Sequence, residues 1–551
     1  MKNKLRNIKY ATFLFIYFIG FNLLTFAQKA EDLSGPEISI IGQDIKSQND
    51  HNLQLFLSLR LSGSETSEDQ KNYSLLSADI LFGRIQSVKL VDIKIIPLDT
   101  AGQLINLDFY RSRFQNIIVF YAAVDYKVSN EDKYITNGTN YRLYVIVKQN
   151  DGYFIVEVST APLPIIKKLG IGFNTENEKK RLELNSQQLS LNKVSPSYVQ
   201  SNTIRVHINS TNSILTLNFT DYIKDVLPNE WIPSWTSNAL QSGALAVKMY
   251  GWWRVLNPRN NLLGYDIEDN TSDQVYKQGS NVSSSNTAVD LVTTIGFSQT
   301  DGTLFKVQYW NGVSQVYNTG GVGLKVYSTP STTGTIVTTL NDGDRLMIVS
   351  SGLITDGTYR WWRVKTGKSS NWESGYEGYA VGNYIQSYPG LESVNNLAGQ
   401  ITQYGTQFLG EQGQTYAQII PYYYNGSSIA GGQNIQFFTI TPPATASITN
   451  IAVSPITTSP GSTVTLTYTI NSTGSMTVLL GASFTLTGTS AWNVSDPTND
   501  RSVSLVSGTQ TVTRNFIIPN PISVGVYDLL VALWIDNTEL ANKNDTKTIY
   551  C

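Results

Sequence analysis

Residues 221–257 read DYIKDVLPNEWIPSWTSNALQSGALAVKMYGWWRVLN, and their pattern decides how the middle of the chain is built. Leu240, Ala244, Val247 and Gly251 recur at i, i+4, i+7 and i+11, which is one face of a helix, and the small residues on it let a neighbouring element come close. Pro233-Ser234 and the hydroxyls of Thr236 and Ser237 mark where that helix starts. Two strand-like runs, 203-TIRVHI-208 and 213-SILTLNF-219, lead into this stretch, so the segment predicts an α+β domain.

Outward from this centre the patterns change. Toward the N-terminus, 116-NIIVFYAAVDYKV-128, 141-YRLYVIV-147 and 153-YFIVEV-158 read as strands, the last two joined by a turn at Asn150-Asp151-Gly152. Residues 36–165 are expected to form a β-rich module without a chemical signature, and the polar stretch 166–202 a linker or short helix. Residues 1–28 carry Lys2, Lys4, Arg6 and Lys9, then an apolar run from Ala11 to Phe26, and read as a secretory signal peptide. A secreted or periplasmic protein is expected, with no later segment apolar enough to span a membrane.

Toward the C-terminus, 321–388 alternates short strands and turns. Then 399-GQITQYGTQFLGEQG-413 turns helical, with Ile401, Tyr404, Gly405, Phe408 and Leu409 on one face and Gly413 as C-cap, and Tyr416, Ile419, Ile420 and Tyr423 begin a second helix. In 440–551, Val464, Leu466, Tyr468 and Ile470 alternate with threonines, and 526-VYDLLVALWI-535 is a second core strand. With turns at 459-SPGS-462 and 518-IPNP-521, this predicts an immunoglobulin-like β-sandwich.

Composition narrows the chemistry. The 551 residues are only 15% charged, with a formal charge of −2 and no basic run in the body of the chain, so nucleic acid is dropped as a partner. There are two histidines, His51 and His207, and one cysteine, Cys551. An intrachain disulfide is impossible, and a Cys/His zinc site or a histidine-assisted nucleophile is close to excluded. His207, between Val206 and Ile208 in a strand, is read as a strand-surface histidine, and Trp252-Trp253 fit core packing better than a sugar subsite.

Glu230 departs from the background of solvated acids. It is bracketed by Pro228, Trp231, Pro233 and Trp235, and a carboxyl walled by aromatic rings is desolvated, which raises its pKa toward a general acid's range. A helix-starting glutamate favoured by the macrodipole is the other reading.

The segments DYIKDVLPNEW, ALQSGALAVKMYGWW, YDIEDNTSDQVY and ITQYGTQFLGEQGQTYAQIIPYYYNGSSI, in this order, resemble the catalytic domain of the SpoIID/LytB family, the relatives of stage II sporulation protein D. The resemblance implies a lytic transglycosylase acting on peptidoglycan glycan strands, with Glu230 as catalytic acid/base and Asp269, Thr271, Gln274, Tyr276, Gln403 and Tyr404 as substrate-binding residues. Many relatives carry a Cys…His-Cys cluster in the third block; those places here are Glu268, Ser272 and Asp273, so neither metal nor cofactor is expected. In 307-VQYWNG-312, Trp310 stands where the family usually has histidine, and no histidine precedes Thr402-Gln403-Tyr404-Gly405.

The 321–388 stretch resembles a bacterial SH3-type domain, with Asp342-Gly343, Trp362-Arg363-Val364 and Gly378-Tyr379-Ala380. Its position makes the SpoIID-like domain discontinuous, 203–320 plus 391–430, with a small barrel inserted. The expected whole is a multidomain protein: an α+β SpoIID-like centre with an inserted SH3-like β-barrel, flanked by β-rich domains, the last immunoglobulin-like. The expected function is lytic cleavage of glycan strands in the bacterial cell envelope; the alternatives are a non-catalytic wall-binding or scaffold protein, or an enhancer of a partner amidase.

Overall fold

The computed structural model describes residues 35–61, 77–150, 152–189, 198–367, 375–441, 444–489, 494–535 and 538–550; residues 1–28, where a signal peptide is expected, and Cys551 lie outside them. The chain divides into two compact units, the second formed by Thr441–Cys551 with Val199–Asn202.

In the first unit, strands Ile85–Ile96, Asn116–Val128, Gly138–Gln149 and Gly152–Thr160 form a four-stranded antiparallel meander in sequence order. The two inner strands are near-continuous apolar runs because both of their faces are buried. Phe120, Ala122, Val124, Tyr144 and Ile146 pack with Ile40, Ile41 and Phe56 of helices Pro36–Asn49 and Leu53–Ser58. The opposite face, with Val119, Tyr121, Leu143 and Val145, shares one core with Val206, Tyr222, Leu245 and Trp252 of the middle segment. The stretch read as linker contains the helix Glu176–Leu189, whose Glu178 accepts a hydrogen bond from the buried Tyr121 hydroxyl.

Strands Thr203–Ile208 and Ser213–Asn218 pair antiparallel and lead into helix Phe219–Glu230. Asn218 caps that helix by accepting from the N–H groups of Thr220 and Asp221. Helix Ser237–Leu256 follows, capped by Thr236. It is not one-faced: every residue from Ser242 to Arg254 is buried, as befits a helix at the centre of its domain. Its closest approach falls at Gly243, where an added Cβ would stand 2.5 Å from the Trp231 ring; at Gly251 the nearest ring, Phe219, would be 3.3 Å away. Trp252 and Trp253 are core residues, 1% and 2% exposed.

After strand Tyr309–Trp310 the chain enters an antiparallel sheet and returns to pair Ile401–Thr402 in parallel beside it, Tyr309 with Ile401 and Trp310 with Thr402. Within that sheet the first strand, Val313–Val316, and the last, Ile385–Ser387, are neighbours, so the segment leaves and rejoins the middle of the chain at adjacent points. Its own core gathers Val326, Leu346, Ile348, Trp362 and Val364. The helix expected from residue 399 starts at Gln403 and ends at Glu411; Gly413 follows with φ 80°. Helix Tyr416–Tyr424 opens with a capping box between Thr415 and Gln418.

The second unit holds two antiparallel sheets, one of three strands and one of five. Val464, Leu466, Tyr468 and Ile470 of one and Leu480, Phe484, Leu529 and Val531 of the other share a single core.

Gly243→Ala sets a gain in helix propensity of about 1 kcal/mol against overpacking of about 1–3 kcal/mol. The Trp231 ring cannot retreat, because its Nε1–H donates to Thr406 Oγ1 at 2.9 Å. The variant is expected to unfold at lower urea than the parent; an unchanged or higher midpoint would refute the contact.

Candidate functional site

Glu230 is the last residue of helix Phe219–Glu230, not the first residue of the next. The helix-start reading therefore has the wrong sign: at a C-terminus the macrodipole disfavours the carboxylate. The tryptophans beside it in sequence turn away. Trp231 points into the core, its ring 4.9 Å from Tyr309, and Trp235 packs on Tyr404 at 5.0 Å.

The Glu230 side chain is half-buried in a cleft of about 330 Å³. Tyr309, Trp310, Thr271 and Gln403 line it together with Glu230, and Asn106, Asp108 and Phe109 line it from the N-terminal part of the unit. Val275 N–H donates to Oε1 at 2.8 Å, and Gln403 Nε2 donates to Oε2 at 3.0 Å. Burial raises the Glu230 carboxyl to about 7, against the Val275, Gln403 and Tyr309 hydrogen bonds that favour the anion.

Each donor is itself held. The parallel pairing of Tyr309–Trp310 with Ile401–Thr402 brings Tyr309 and Gln403 to the same carboxyl across the long intervening segment. Gln274 fixes the Tyr309 hydroxyl by donating to it from Nε2 at 3.0 Å while accepting from Tyr222 at 2.9 Å.

Of the residues expected to bind substrate, Thr271 and Gln403 line the cleft with Glu230. Gln274 is fully buried behind it. Tyr276 is buried too, stacked on Tyr222 with ring centroids 5.5 Å apart. Tyr404 is half-buried against Trp235, and Asp269 is occupied by the Asn209 amide at 2.6 Å; neither lines the cleft. Tyr309 stands in a quoted block but carries no signal that would mark it, and nothing in the sequence pointed to 106–113.

His207 is buried, contrary to the surface reading, because strand Ile267–Glu268 pairs in parallel with its strand and sets Glu268 opposite it. Nδ1 lies 2.9 Å from Glu268 Oε2, and Tyr265 stacks on the ring at 4.8 Å. Burial raises the Glu268 carboxyl, but its hydrogen bond with His207 leaves it below the usual carboxylate range. Asp273 receives Arg254 Nε at 2.8 Å and the Tyr250 hydroxyl at 2.6 Å. Two of the positions where the resemblance places metal ligands are thus committed to charge pairs. Among the described residues no group of three or more His, Cys, Asp or Glu is placed to hold a metal.

Residues 207–301 match the SpoIID family, Stage II sporulation protein; the match includes Glu230 and Thr271 and stops before Gln403. A stretch of 60 residues, 11% of this chain, is 40% identical to an uncharacterised protein of Brachyspira hyodysenteriae, and the chain spans 16% of that protein's length. Among solved structures, alkylpurine DNA glycosylase AlkC of Pseudomonas fluorescens is 19% identical over 18% of this chain and 30% of its own, with a TM-score of 0.14. Spo0M, a sporulation control protein of Bacillus subtilis, is 17% identical over 19% and 48%, with a TM-score of 0.15. Neither score carries a fold assignment.

A carboxyl whose pKa is raised by folding weakens the fold as it ionises. Stability contributed by protonated Glu230 is present at low pH and lost between the ordinary value of 4.5 and about 7. Glu230→Gln is therefore expected to melt above the parent at pH 8 and to match it below pH 4.5, followed by circular dichroism; a constant difference across that range would refute the raised pKa.

Proposed function

We propose that this chain acts on peptidoglycan in the bacterial cell envelope and cleaves its glycan strands lytically through Glu230. The observation that carries the reading is the Glu230 carboxyl in the cleft, raised to about 7 by burial and held by Val275 and Gln403. The match of 207–301 to a sporulation protein family supports a cell-wall-related role.

The reaction needs one carboxyl. Protonated Glu230 gives its proton to the glycosidic oxygen as the bond from that oxygen to C1 breaks. The 6-hydroxyl oxygen of the same sugar then bonds to C1, and the Glu230 carboxylate takes the hydroxyl proton. The attack is intramolecular, so no water has to be positioned by a second carboxylate. Gln403 and the Val275 amide hold the carboxyl during both transfers. In this proposal the inserted sheet is an SH3-type wall-binding module, the second unit an immunoglobulin-like spacer, and the protein is secreted or periplasmic.

Trp310 favours a second reading, a non-catalytic wall-binding or scaffold protein, because it fills the cleft position where the resemblance implies histidine. Peptidoglycan incubated with the purified chain and analysed by mass spectrometry separates the two. Anhydro-muramic ends are expected, falling by about 10²-fold or more in Glu230→Gln. Equal product from that variant would overturn Glu230 as the acid, and wall pull-down without product would establish the binding protein.

A further inference from the structure

The cleft has a second acidic wall that the SpoIID-matched segment does not supply. Helix Leu107–Arg111 presents Asp108 and Phe109 to the same cleft as Glu230. The Asn106 amide fastens this wall by donating to the Ser272 carbonyl at 2.9 Å. The Asp108 side chain keeps 18% exposure and accepts one hydrogen bond, from Gln400 Nε2 to Oδ2 at 2.5 Å. Oδ1 forms an ion pair with Arg111 at 3.8 Å, beyond hydrogen-bond range, which leaves its hydrogen-bonding capacity unused among the described residues.

Behind this wall lies Lys306, fully buried, its Nζ without a hydrogen-bond partner. Burial raises the Asp108 carboxyl and lowers the Lys306 amine, to about 7, while each charge favours the other. A buried cation with no hydrogen bond of its own is costly; its charge offsets part of the burial that raises Asp108.

We propose that Asp108 contacts substrate in a sugar subsite that the N-terminal part of the chain adds to the Glu230 cleft. Its Oδ1, which makes no hydrogen bond, accepts from hydroxyl or acetamido N–H donors of one ring, and Phe109, one face of which carries the Arg113 guanidinium at 3.8 Å, offers its remaining carbon surface beside it. The site takes an N-acetylated amino sugar of the glycan strand. Gln400 couples this subsite to the chemistry, because it lies three residues before Gln403 on the segment that reaches Glu230.

The inference rests on the peptidoglycan reading, and the test separates the two. Glu230→Gln is used to bind peptide-free glycan strands without turnover, and Asp108→Asn is added to it. Loss of a hydrogen bond to a charged acceptor is expected to weaken binding about tenfold. With Glu230 intact, Asp108→Asn is expected to raise KM with a smaller change in kcat. Should the single charge change unfold the chain, Asp108→Asn with Lys306→Met removes both charges and is measured instead. Binding within twofold of the Glu230→Gln parent overturns the Asp108 subsite alone. No glycan binding by that parent overturns the peptidoglycan reading and this inference with it.

Discussion

The Trp231 ring lies against Gly243, and the geometry of the site depends on that contact. A tryptophan can sit this close to a helix axis only where the helix has no Cβ, and Gly243 supplies the gap. Because the indole N–H is tied to Thr406, one side chain joins three elements: the end of helix Phe219–Glu230, the central helix Ser237–Leu256 and helix Gln403–Glu411. Glu230 precedes this anchor by one residue and Gln403 precedes Thr406 by three. Their 3.0 Å hydrogen bond is therefore set by packing rather than by the flexibility of two long side chains.

A second constraint fixes the far wall. Glu157 of the N-terminal meander faces Arg259 at 3.0 Å and accepts from Tyr110 at 2.5 Å, while Arg254 binds Asp273 at 2.6 Å. Burial raises the Glu157 carboxyl, but Arg259 and Arg254 hold it down to about 2. Ions buried this completely are costly to desolvate, and removing one partner strands the other at about 3–5 kcal/mol, so the network specifies one arrangement more than it adds stability. Tyr110 belongs to it, and Asp108 is two residues away on the same helical turn, about 200° around the axis. Locking Tyr110 inward turns Asp108 toward the cleft.

Legibility followed sequence separation. The strand pair at 203–218, the long helix and the alternating strand at 463–472 rest on local periodicity, and each forms near where its pattern placed it. The burial of that helix on all sides is not legible locally, because its faces are covered by the preceding helix, by Ser283–Leu291 and by the distant Gln403–Glu411 together. The rings that single out Glu230 in the sequence turn away from it; the Tyr309 hydroxyl that meets it arrives through a parallel strand pair that no local pattern announces. His207 is buried for the same reason, since its covering strand returns about sixty residues later.

The shortage of histidine bears on the acid itself. A protonated imidazole at position 310 would place a cation in the cleft and favour the Glu230 carboxylate, lowering its pKa. Trp310 brings no charge, and the groups that touch Glu230 are an amide side chain, a backbone N–H and a phenol. Neutral donors offset only part of the desolvation, which leaves the proton on Glu230 near neutral pH. Cations near the cleft lie toward the other wall or on other partners: Arg254 on Asp273, Arg259 on Glu157, Arg113 over the Phe109 ring, and Arg111 and Lys306 beside Asp108. Glu230 meets only neutral donors while Asp108 on the opposite wall has Lys306 behind it, so two carboxyls of this cleft differ in the charges around them.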